Sequence, residues 1–154
     1  MLNILFGTDN QKSDDQIKQF AQMADVWKDI ESFPKQLETI LGERGITLSG
    51  GQKQRVAITR ALIREPEILV FDDSLSAIDT HTEKTIKSNL KKTDKHQTKI
   101  LISHRVSTVE DAHHIIVLDN GKIVEQGNPQ QLIVQKGLFA EMVKNQNAQS
   151  VEVV

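Results

Sequence analysis

Residues 48–73 read LSGGQKQRVAITRALIREPEILVFDD, and this stretch decides the fold. Between residues 52 and 64 apolar side chains recur at helical spacing until Pro66 stops the pattern, so a helix is predicted there. Residues 68–71 form a continuous apolar run of strand length, typical of a parallel strand covered on both faces. That run ends in Asp72 and Asp73. A helix followed by a buried strand with acidic residues at its carboxyl end indicates an α/β domain.

The chain beyond this stretch continues to alternate helix and strand signals. Capping patterns predict helices that start at Thr80, Ser107 and Asn128, the last with Pro129 at its first position. Further buried strands are predicted at residues 99–102 and 115–118, and Asn120-Gly121 predicts a hairpin into residues 123–124. The expected fold class is therefore α/β, with a mostly parallel sheet, flanking helices and a C-terminal β-hairpin.

The first third of the chain carries helix signals and no convincing strand. Ser13 and Gln16 match a capping box, and an amphipathic helical pattern follows. Trp27 is predicted to lie in the core of this helical part, with a binding role as the alternative, and Pro34 is expected to end it. Polar residues from Asn145 onward predict a frayed tail. The predicted divisions are a helical segment 1–47, an α/β core 48–144 and a polar tail 145–154.

Composition excludes several classes of function. The 154 residues hold 19 Lys plus Arg against 21 Asp plus Glu, a net charge of -2, so no nucleic-acid partner is expected. Cysteine is absent, which excludes disulfides and thiolate metal sites. No apolar stretch approaches the roughly 18 residues that span a bilayer, and the N-terminus lacks the pattern of a signal peptide. Any membrane association is therefore expected to come through partners.

Two short motifs suggest contacts with anions. Ser49, Gly50 and Gly51 precede the predicted helix, and a helix N-terminus offers unpaired N–H donors and a partial positive charge. The alternative is a plain serine cap on a glycine-rich turn. Asp72 lies at the carboxyl edge of its strand, where α/β folds place ligands, although a turn or capping role is also open.

Together these motifs resemble those of ATP-binding cassette (ABC) proteins. Residues 48–55 resemble the ABC signature motif, residues 68–73 the Walker B strand, Ser76-Ala77-Ile78-Asp79 the D-loop, and Ser103-His104-Arg105 the switch region. Residues 3–7, 102–109 and 121–127 are similar to exporter segments, so the resemblance covers essentially the whole chain. It implies part of a P-loop NTPase (ABC ATPase) fold, with ATP and Mg²⁺ as cofactors.

The resemblance also implies a role for each site residue. Ser49, Gly50, Gly51 and Gln52 would contact a nucleotide held by another subunit. Asp72 would hold Mg²⁺ through water, Asp73 stands at the position of the catalytic glutamate, His104 would contact the γ-phosphate, and Asp79 would lie at the dimer interface. The alternative for this last segment is simple capping of the following helix by Asp79 or Thr80. The resemblance implies no functional role for the remaining histidines, which are expected to be structural or solvated. They are His81, His96, His113 and His114.

A phosphate-binding loop is missing from the sequence. None of the eight glycines completes a G-x-x-x-x-G-K-[ST] pattern, since Gly121-Lys122 is followed by Ile123 and has no glycine five positions earlier. The Walker A portion is therefore absent. The isolated chain is expected neither to bind ATP tightly nor to hydrolyse it, because backbone N–H groups and a lysine around the β- and γ-phosphates are lacking. Whether it acts as an ABC-type ATPase depends on the complete protein.

Asp73 points to a subtype within the family. Members that hydrolyse ATP normally carry Glu at this position, and the loss of one methylene retracts the carboxylate by ~1.5 Å. Because a misplacement of about 1 Å costs roughly 10²-fold in rate, the site of this chain is expected to be slow or silent. An intact signature beside such a site is similar to a degenerate-site subunit of bacterial heterodimeric multidrug exporters.

The expected function is to contribute signature contacts to ATP hydrolysis at a cassette dimer interface and so to power transmembrane export. The expected partners are a second ABC ATPase domain and the transmembrane domains of the transporter, at the cytoplasmic face of the cell membrane. Two alternatives stay open. One is a soluble ABC ATPase of the chromosome-maintenance or DNA-repair type, although residues 8–47 lack its coiled coil. The other is a non-enzymatic remnant that acts only as an interaction fragment.

Overall fold

The computed structural model describes residues 4–5, 12–42, 46–92 and 97–151. The helices are α1 (Asp14–Met23), α2 (Trp27–Ser32), α3 (Gly50–Leu62), α4 (Thr80–Lys91), α5 (Val106–Val109), α6 (Pro129–Gln135) and α7 (Leu138–Val151). The strands are β1 (Ile68–Asp72), β2 (Thr98–Ile102), β3 (Ile115–Asp119) and β4 (Lys122–Gly127), and a single 3-10 turn spans Gln36–Glu38. This order confirms the predicted α/β class.

The chain divides into two compact units, Met1–Ile100 and Leu101–Val154. The first holds α1 to α4 and β1, and the second holds α5 to α7 with β3 and β4. The division falls within β2, which is the neighbour of β1 in a two-stranded sheet. The predicted segments 1–47, 48–144 and 145–154 follow motifs along the sequence and stay a prediction.

Local sequence explains the helices of the first unit. The capping box of Ser13 and Gln16 is present, and Ile17 and Ala21 of α1 are fully buried. The prediction that Trp27 lies in the core was wrong. Trp27 is half-buried at the first position of α2, and Nζ of Lys18 lies 5.1 Å from the centroid of its ring. The ring is therefore only partly covered, and it lies within the range of a cation–π contact.

The prediction of strands covered on both faces was also wrong. In β1 the burial alternates, with Leu69 and Phe71 buried while Ile68 and Val70 are 61% and 52% exposed. In β2 no residue is fully buried. The apolar pattern fits a sheet with two covered faces, but the described elements cover only one face of β1.

Two helix starts differ from the prediction. The N-cap of α4 is Asp79, whose side chain accepts from the Thr82 N–H, so Thr80 is already inside the helix. The N-cap of α5 is Arg105, which makes no side-chain cap, so Ser107 does not start that helix. In both places a residue that precedes the predicted cap has the extended backbone that an N-cap requires.

The second unit contains the predicted hairpin. β3 and β4 pair antiparallel, with Asp119 opposite Lys122 across a two-residue turn. Asn120 and Gly121 both have positive φ, 48° and 74°, as a type I′ turn requires. A bulge lies between Val117 and Leu118.

The hairpin packs by one face only. The predicted burial of β3 holds for Ile115 and Val117 alone, since Ile116 and Leu118 are 53% and 68% exposed. The core of the second unit consists of Val106, Ile115, Val117, Leu132 and Phe139.

The last two helices close the second unit. Asn128 caps α6 through a capping box with Gln131, and Pro129 occupies the first turn as predicted. The tail does not fray at Asn145, because α7 continues to Val151. No helix of the described residues is long and apolar enough to cross a membrane.

Candidate functional site

The N-terminus of α3 is formed by Ser49 and the two glycines that follow. The Ser49 Oγ accepts from the Gln52 N–H at 3.2 Å, and Oε1 of Gln52 accepts from the Ser49 N–H at 2.9 Å. This capping box was missed, and the Ser49-x-x-Gln52 spacing could have indicated it. Within the described residues, the Gly50 and Gly51 N–H groups make no hydrogen bond. Ser49 therefore caps the helix, as the plainer alternative proposed, and unpaired donors also remain for an anion.

The D-loop segment lies against these glycines and forms an open hollow of about 490 Å³. The residues that line it are Ser49, Gly50, Gly51, Arg55, Ala77, Ile78 and Asp79. A Cβ at Gly51 would lie 3.0 Å from the Ala77 carbonyl oxygen, whereas a Cβ at Gly50 would lie 3.6 Å from the Ala77 Cβ. Gly51 is thus the position at which the approach of the two segments depends on the missing side chain.

Gln54 connects α3 to the D-loop segment. Its Nε2 donates to Oγ of Ser76 at 3.1 Å, and its Oε1 accepts from the Ala77 N–H at 3.0 Å. One amide side chain therefore fixes two successive residues of the loop. Sequence reasoning missed Gln54, because its partners lie 22 and 23 residues away.

Asp29 of α2 connects the helical front to the signature helix. Its two carboxylate oxygens accept from Nε2 of Gln52 and from a guanidinium nitrogen of Arg55, each at 2.8 Å. The same guanidinium nitrogen also donates to the Asp25 carbonyl oxygen. Asp29 was missed as well. In Gln52 one of the two amide N–H donors remains after these bonds and the capping box are counted.

Asp79 lines the hollow and caps α4. The Thr82 backbone N–H, followed by the Thr82 side chain, lowers the pKa of Asp79 below its ordinary value of 3.8. The carboxylate is therefore ionised at neutral pH. The capping alternative is confirmed by this geometry, and the assignment to a dimer interface stays a prediction.

Asp72 and Asp73 lie at the end of β1 and are exposed. They do not line the hollow. In the described part of the chain, the Asp72 carboxylate makes no hydrogen bond or ion pair, so its oxygens are available. No group of three or more potential metal ligands occurs among the described residues. A lone available carboxylate fits Mg²⁺, which is commonly held by one or two carboxylates together with water and phosphate oxygens.

Asp73 has a left-handed backbone, with φ of 46°. Aspartate and asparagine tolerate this conformation better than other residues with a side chain. The Asp73 carbonyl oxygen accepts from the Ser76 N–H at 3.2 Å and from the Ser76 Oγ at 2.8 Å, which closes the turn after β1. The turn therefore fixes the backbone from which the Asp73 carboxylate projects.

His104 belongs to the second unit and is exposed. Its carbonyl oxygen accepts from Nε2 of Gln146 at 2.9 Å. His81, His113 and His114 are exposed as well, whereas His96 lies outside the described residues. The structure thus brings Ser49, Gly50, Gly51 and Asp79 together, while the functional roles assigned to these residues remain predictions.

Known proteins resemble this chain both in sequence and in fold. The family model described as "ABC transporter" matches residues 2–76. The chain is 41% identical over 140 residues to the ATP-dependent lipid A-core flippase of Vibrio cholerae, covering 91% of this chain and 24% of the flippase. It is 43% identical over 150 residues to a probable multidrug resistance ABC transporter ATP-binding/permease protein of Bacillus subtilis, covering 97% of this chain and 26% of that protein.

A solved structure of a bacterial Atm1-family ABC exporter with ATP bound matches with a TM-score of 0.87. The identity is 44%, over 94% of this chain and 25% of the exporter chain. The chain thus spans about a quarter of the length of these relatives. The chain therefore belongs to the ABC transporter family, and its fold is that of part of an exporter's ATP-binding domain.

Proposed function

We propose that this chain supplies the signature contacts to an ATP molecule held by a second ABC domain, and thereby takes part in ATP-driven export. The observation that supports this best is the hollow in which the N-terminus of α3 faces the D-loop segment. The hollow combines the Gly50 and Gly51 N–H groups, which make no hydrogen bond to any described residue, with the Ser49 hydroxyl and the positive end of a 13-residue helix. An ATP phosphate is an anion of the size and charge that such a set of donors binds.

The ATP site of the chain itself is proposed to be degenerate. Asp72 would hold Mg²⁺ through water beside the phosphates, and the metal would neutralise part of their charge. Asp73 has the shorter carboxylate at the position that carries Glu in hydrolysing members. This combination fits a heterodimer in which the partner holds the competent site and this chain completes it through Ser49.

The partners proposed are a second ABC ATPase domain and transmembrane domains at the cytoplasmic face of the membrane. Export is favoured over chromosome maintenance or repair because the relatives described above are a flippase, a probable multidrug resistance transporter and an exporter. The remaining alternative, an interaction fragment without a role in ATP use, differs in one measurable property. Its association with a cassette would not depend on nucleotide.

The test is association of the purified chain with a complete ABC ATP-binding domain, measured with ATP and Mg²⁺, with ADP and Mg²⁺, and without nucleotide. Association that requires ATP and is lost in Ser49→Arg supports the proposal, since an arginine would occupy the phosphate position. Ser88→Arg is the control, because Ser88 is an exposed residue of α4. Equal association under all three conditions would identify an interaction fragment instead.

A further inference from the structure

One face of α7 points into the core of the second unit. Phe139, Met142, Val143 and Gln146 are spaced at i, i+3, i+4 and i+7, so they share one side of the helix. Phe139 belongs to the buried core cluster, and Met142 and Val143 pack against it. Gln146 therefore lies on the core-facing side one turn further on, and it is half-buried.

The position of α7 is fixed at its other end by Glu125 of β4. The Glu125 carboxylate accepts from the Leu138 N–H and from the Phe139 N–H, the latter at 3.1 Å. A Cβ at Gly137 would overlap this carboxylate, so a side chain there would displace the end of Glu125 from its present position. Because Glu125 holds the start of α7 and the core holds its middle, Gln146 lies at a defined place.

At that place the Gln146 amide contacts both peptide groups that flank Arg105. Its Nε2 donates to the His104 carbonyl oxygen at 2.9 Å, and its Oε1 accepts from the Val106 N–H at 2.8 Å. α5 has no side-chain cap of its own, so the Gln146 oxygen satisfies the first N–H of that helix. Ser103 adds a local bond, because its Oγ accepts from the Arg105 N–H at 2.9 Å.

We propose that Gln146 is a positioning residue for His104. This inference rests on the proposed function, in which His104 contacts the γ-phosphate of bound ATP. His104 is an exposed residue, and its side chain projects from the backbone that Gln146 contacts. Gln146 fixes that backbone by holding the peptide group after His104 and the next one along the chain. The last part of α7 thus positions His104 without contacting the nucleotide.

The expected effect on nucleotide binding is selective. Because the ATP site of this chain is proposed to turn over slowly, misplacement of His104 is expected to show in γ-phosphate affinity and not in the overall rate. Loss of both bonds is expected to weaken the binding of a non-hydrolysable ATP analogue at that site by about 10-fold, as for one lost hydrogen bond to a charged group. ADP has no γ-phosphate, and its affinity is expected to stay unchanged. A variant that merely destabilised the domain would weaken ADP and ATP binding together.

The experiment measures the affinities for ADP and for a non-hydrolysable ATP analogue at the site of this chain, in the assembled transporter that contains this sequence. Gln146→Leu removes both hydrogen bonds. Gln146→Glu keeps an acceptor for the Val106 N–H but cannot donate to His104. A role limited to capping α5 would leave the analogue affinity of Gln146→Glu at the native value, whereas the proposal predicts weaker analogue binding in both variants. Asn147→Leu, at the exposed neighbouring position, is the control and is expected to keep both native affinities.

The outcomes separate two failures. If the native assembly hydrolyses ATP and Gln146→Leu or Gln146→Glu binds the ATP analogue as tightly as the native chain does, the positioning role is refuted while the proposed function stands. A parallel loss of ADP affinity and analogue affinity would also refute it. An assembly with no signature-dependent ATPase activity, one that Ser49→Arg leaves unchanged, would refute the proposed function itself and the positioning role with it.

Discussion

The Asp29 carboxylate accepts a hydrogen bond from Nε2 of Gln52 at 2.8 Å, although the two residues are 23 positions apart. The second oxygen of Asp29 pairs with Arg55, one turn further along α3. The Asp29 side chain of α2 therefore holds α3 at two places on the same face. These are Gln52, in the first turn of the helix, and Arg55, one turn later. The helical front of the chain thereby orients the helix N-terminus at which anion binding is proposed.

Removal of the Asp29 carboxylate is expected to destabilise the first unit. In Asp29→Ala the Arg55 guanidinium and the Gln52 amide lose a part-buried acceptor, which costs about 1–3 kcal/mol of unfolding free energy for a bond to a charged group. Chemical denaturation of the chain measures this change. Glu31→Ala, at an exposed position of the same helix, is the control and is expected to stay within about 0.5 kcal/mol of the native chain. Equal effects of the two substitutions would contradict the role given to Asp29.

Ser49 and Asp73 are expected to differ sharply in their effect on ATPase activity of the assembled transporter. Ser49→Arg would place a bulky cation in the phosphate position of the partner's competent site, with an expected loss of about 100-fold or more. Asp73→Asn should change the rate little, because the site to which it belongs is proposed to turn over slowly and the left-handed backbone accepts asparagine. The reverse order in steady-state assays would make Asp73 a working catalytic residue and refute the degenerate-site proposal.

The two signature glycines are expected to respond differently to alanine. Gly50→Ala introduces a Cβ at ordinary contact distance, 3.6 Å from the Ala77 Cβ, and alanine favours a helix over glycine. Gly51→Ala places its Cβ 3.0 Å from a carbonyl oxygen of a loop that Gln54 holds in place. We expect Gly51→Ala to be less stable than Gly50→Ala by about 1 kcal/mol or more. Thermal unfolding of the two variants side by side tests the order.

Capping of α4 by Asp79 is expected to weaken in acid. The lowered pKa means that the folded chain favours the ionised carboxylate, so its contribution to stability is complete above the ordinary pKa of 3.8. That contribution is lost as the pH falls through the lower pKa of the folded state. Asp79→Asn keeps the cap acceptor and removes the titration. The stability difference between the native chain and Asp79→Asn should therefore move against the native chain below pH 3.8, as followed by circular dichroism.

The open faces of β1 and β2 are expected to cause self-association of the isolated chain. Ile68, Val70, Ile100 and Ile102 are each 45–61% exposed, and apolar strand surfaces of this kind invite pairing. Val70→Lys should reduce association in sedimentation velocity runs over a range of concentrations. Val134→Lys is the control, because Val134 is 78% exposed but lies on α6. A monodisperse native monomer at high concentration would contradict this expectation.

Several features that depend on residues a few positions apart were predictable from the sequence, although the caps predicted at Thr80 and Ser107 were wrong. The capping box at Ser13, the cap at Asn128 and the turn at Asn120-Gly121 follow from local backbone chemistry, and each is present. The order of helices and strands was predictable for the same reason, because the spacing of apolar residues differs between a helix and a strand.

Features that depend on distant partners were not predictable. Asp29, Gln54 and Gln146 act through residues 22 to 42 positions away, and nothing in their own neighbourhoods distinguishes them from solvated polar residues. The exposure of Ile68 and Val70 is a related case. An apolar run shows that a strand is suited to burial on both faces, but it does not show whether the described residues bury both faces.

The bridge that Gln54 makes between α3 and the D-loop segment has a consequence for the energetics of docking. Because the Gln54 amide fixes Ser76 and Ala77, a partner surface meets one rigid patch instead of two segments that must each be ordered. The conformational entropy of this loop is lost when the chain folds and not when the partner arrives. Recognition of the hollow by the proposed partner would thus be preorganised, because a partner that bound the helix N-terminus would meet the loop beside it already in place.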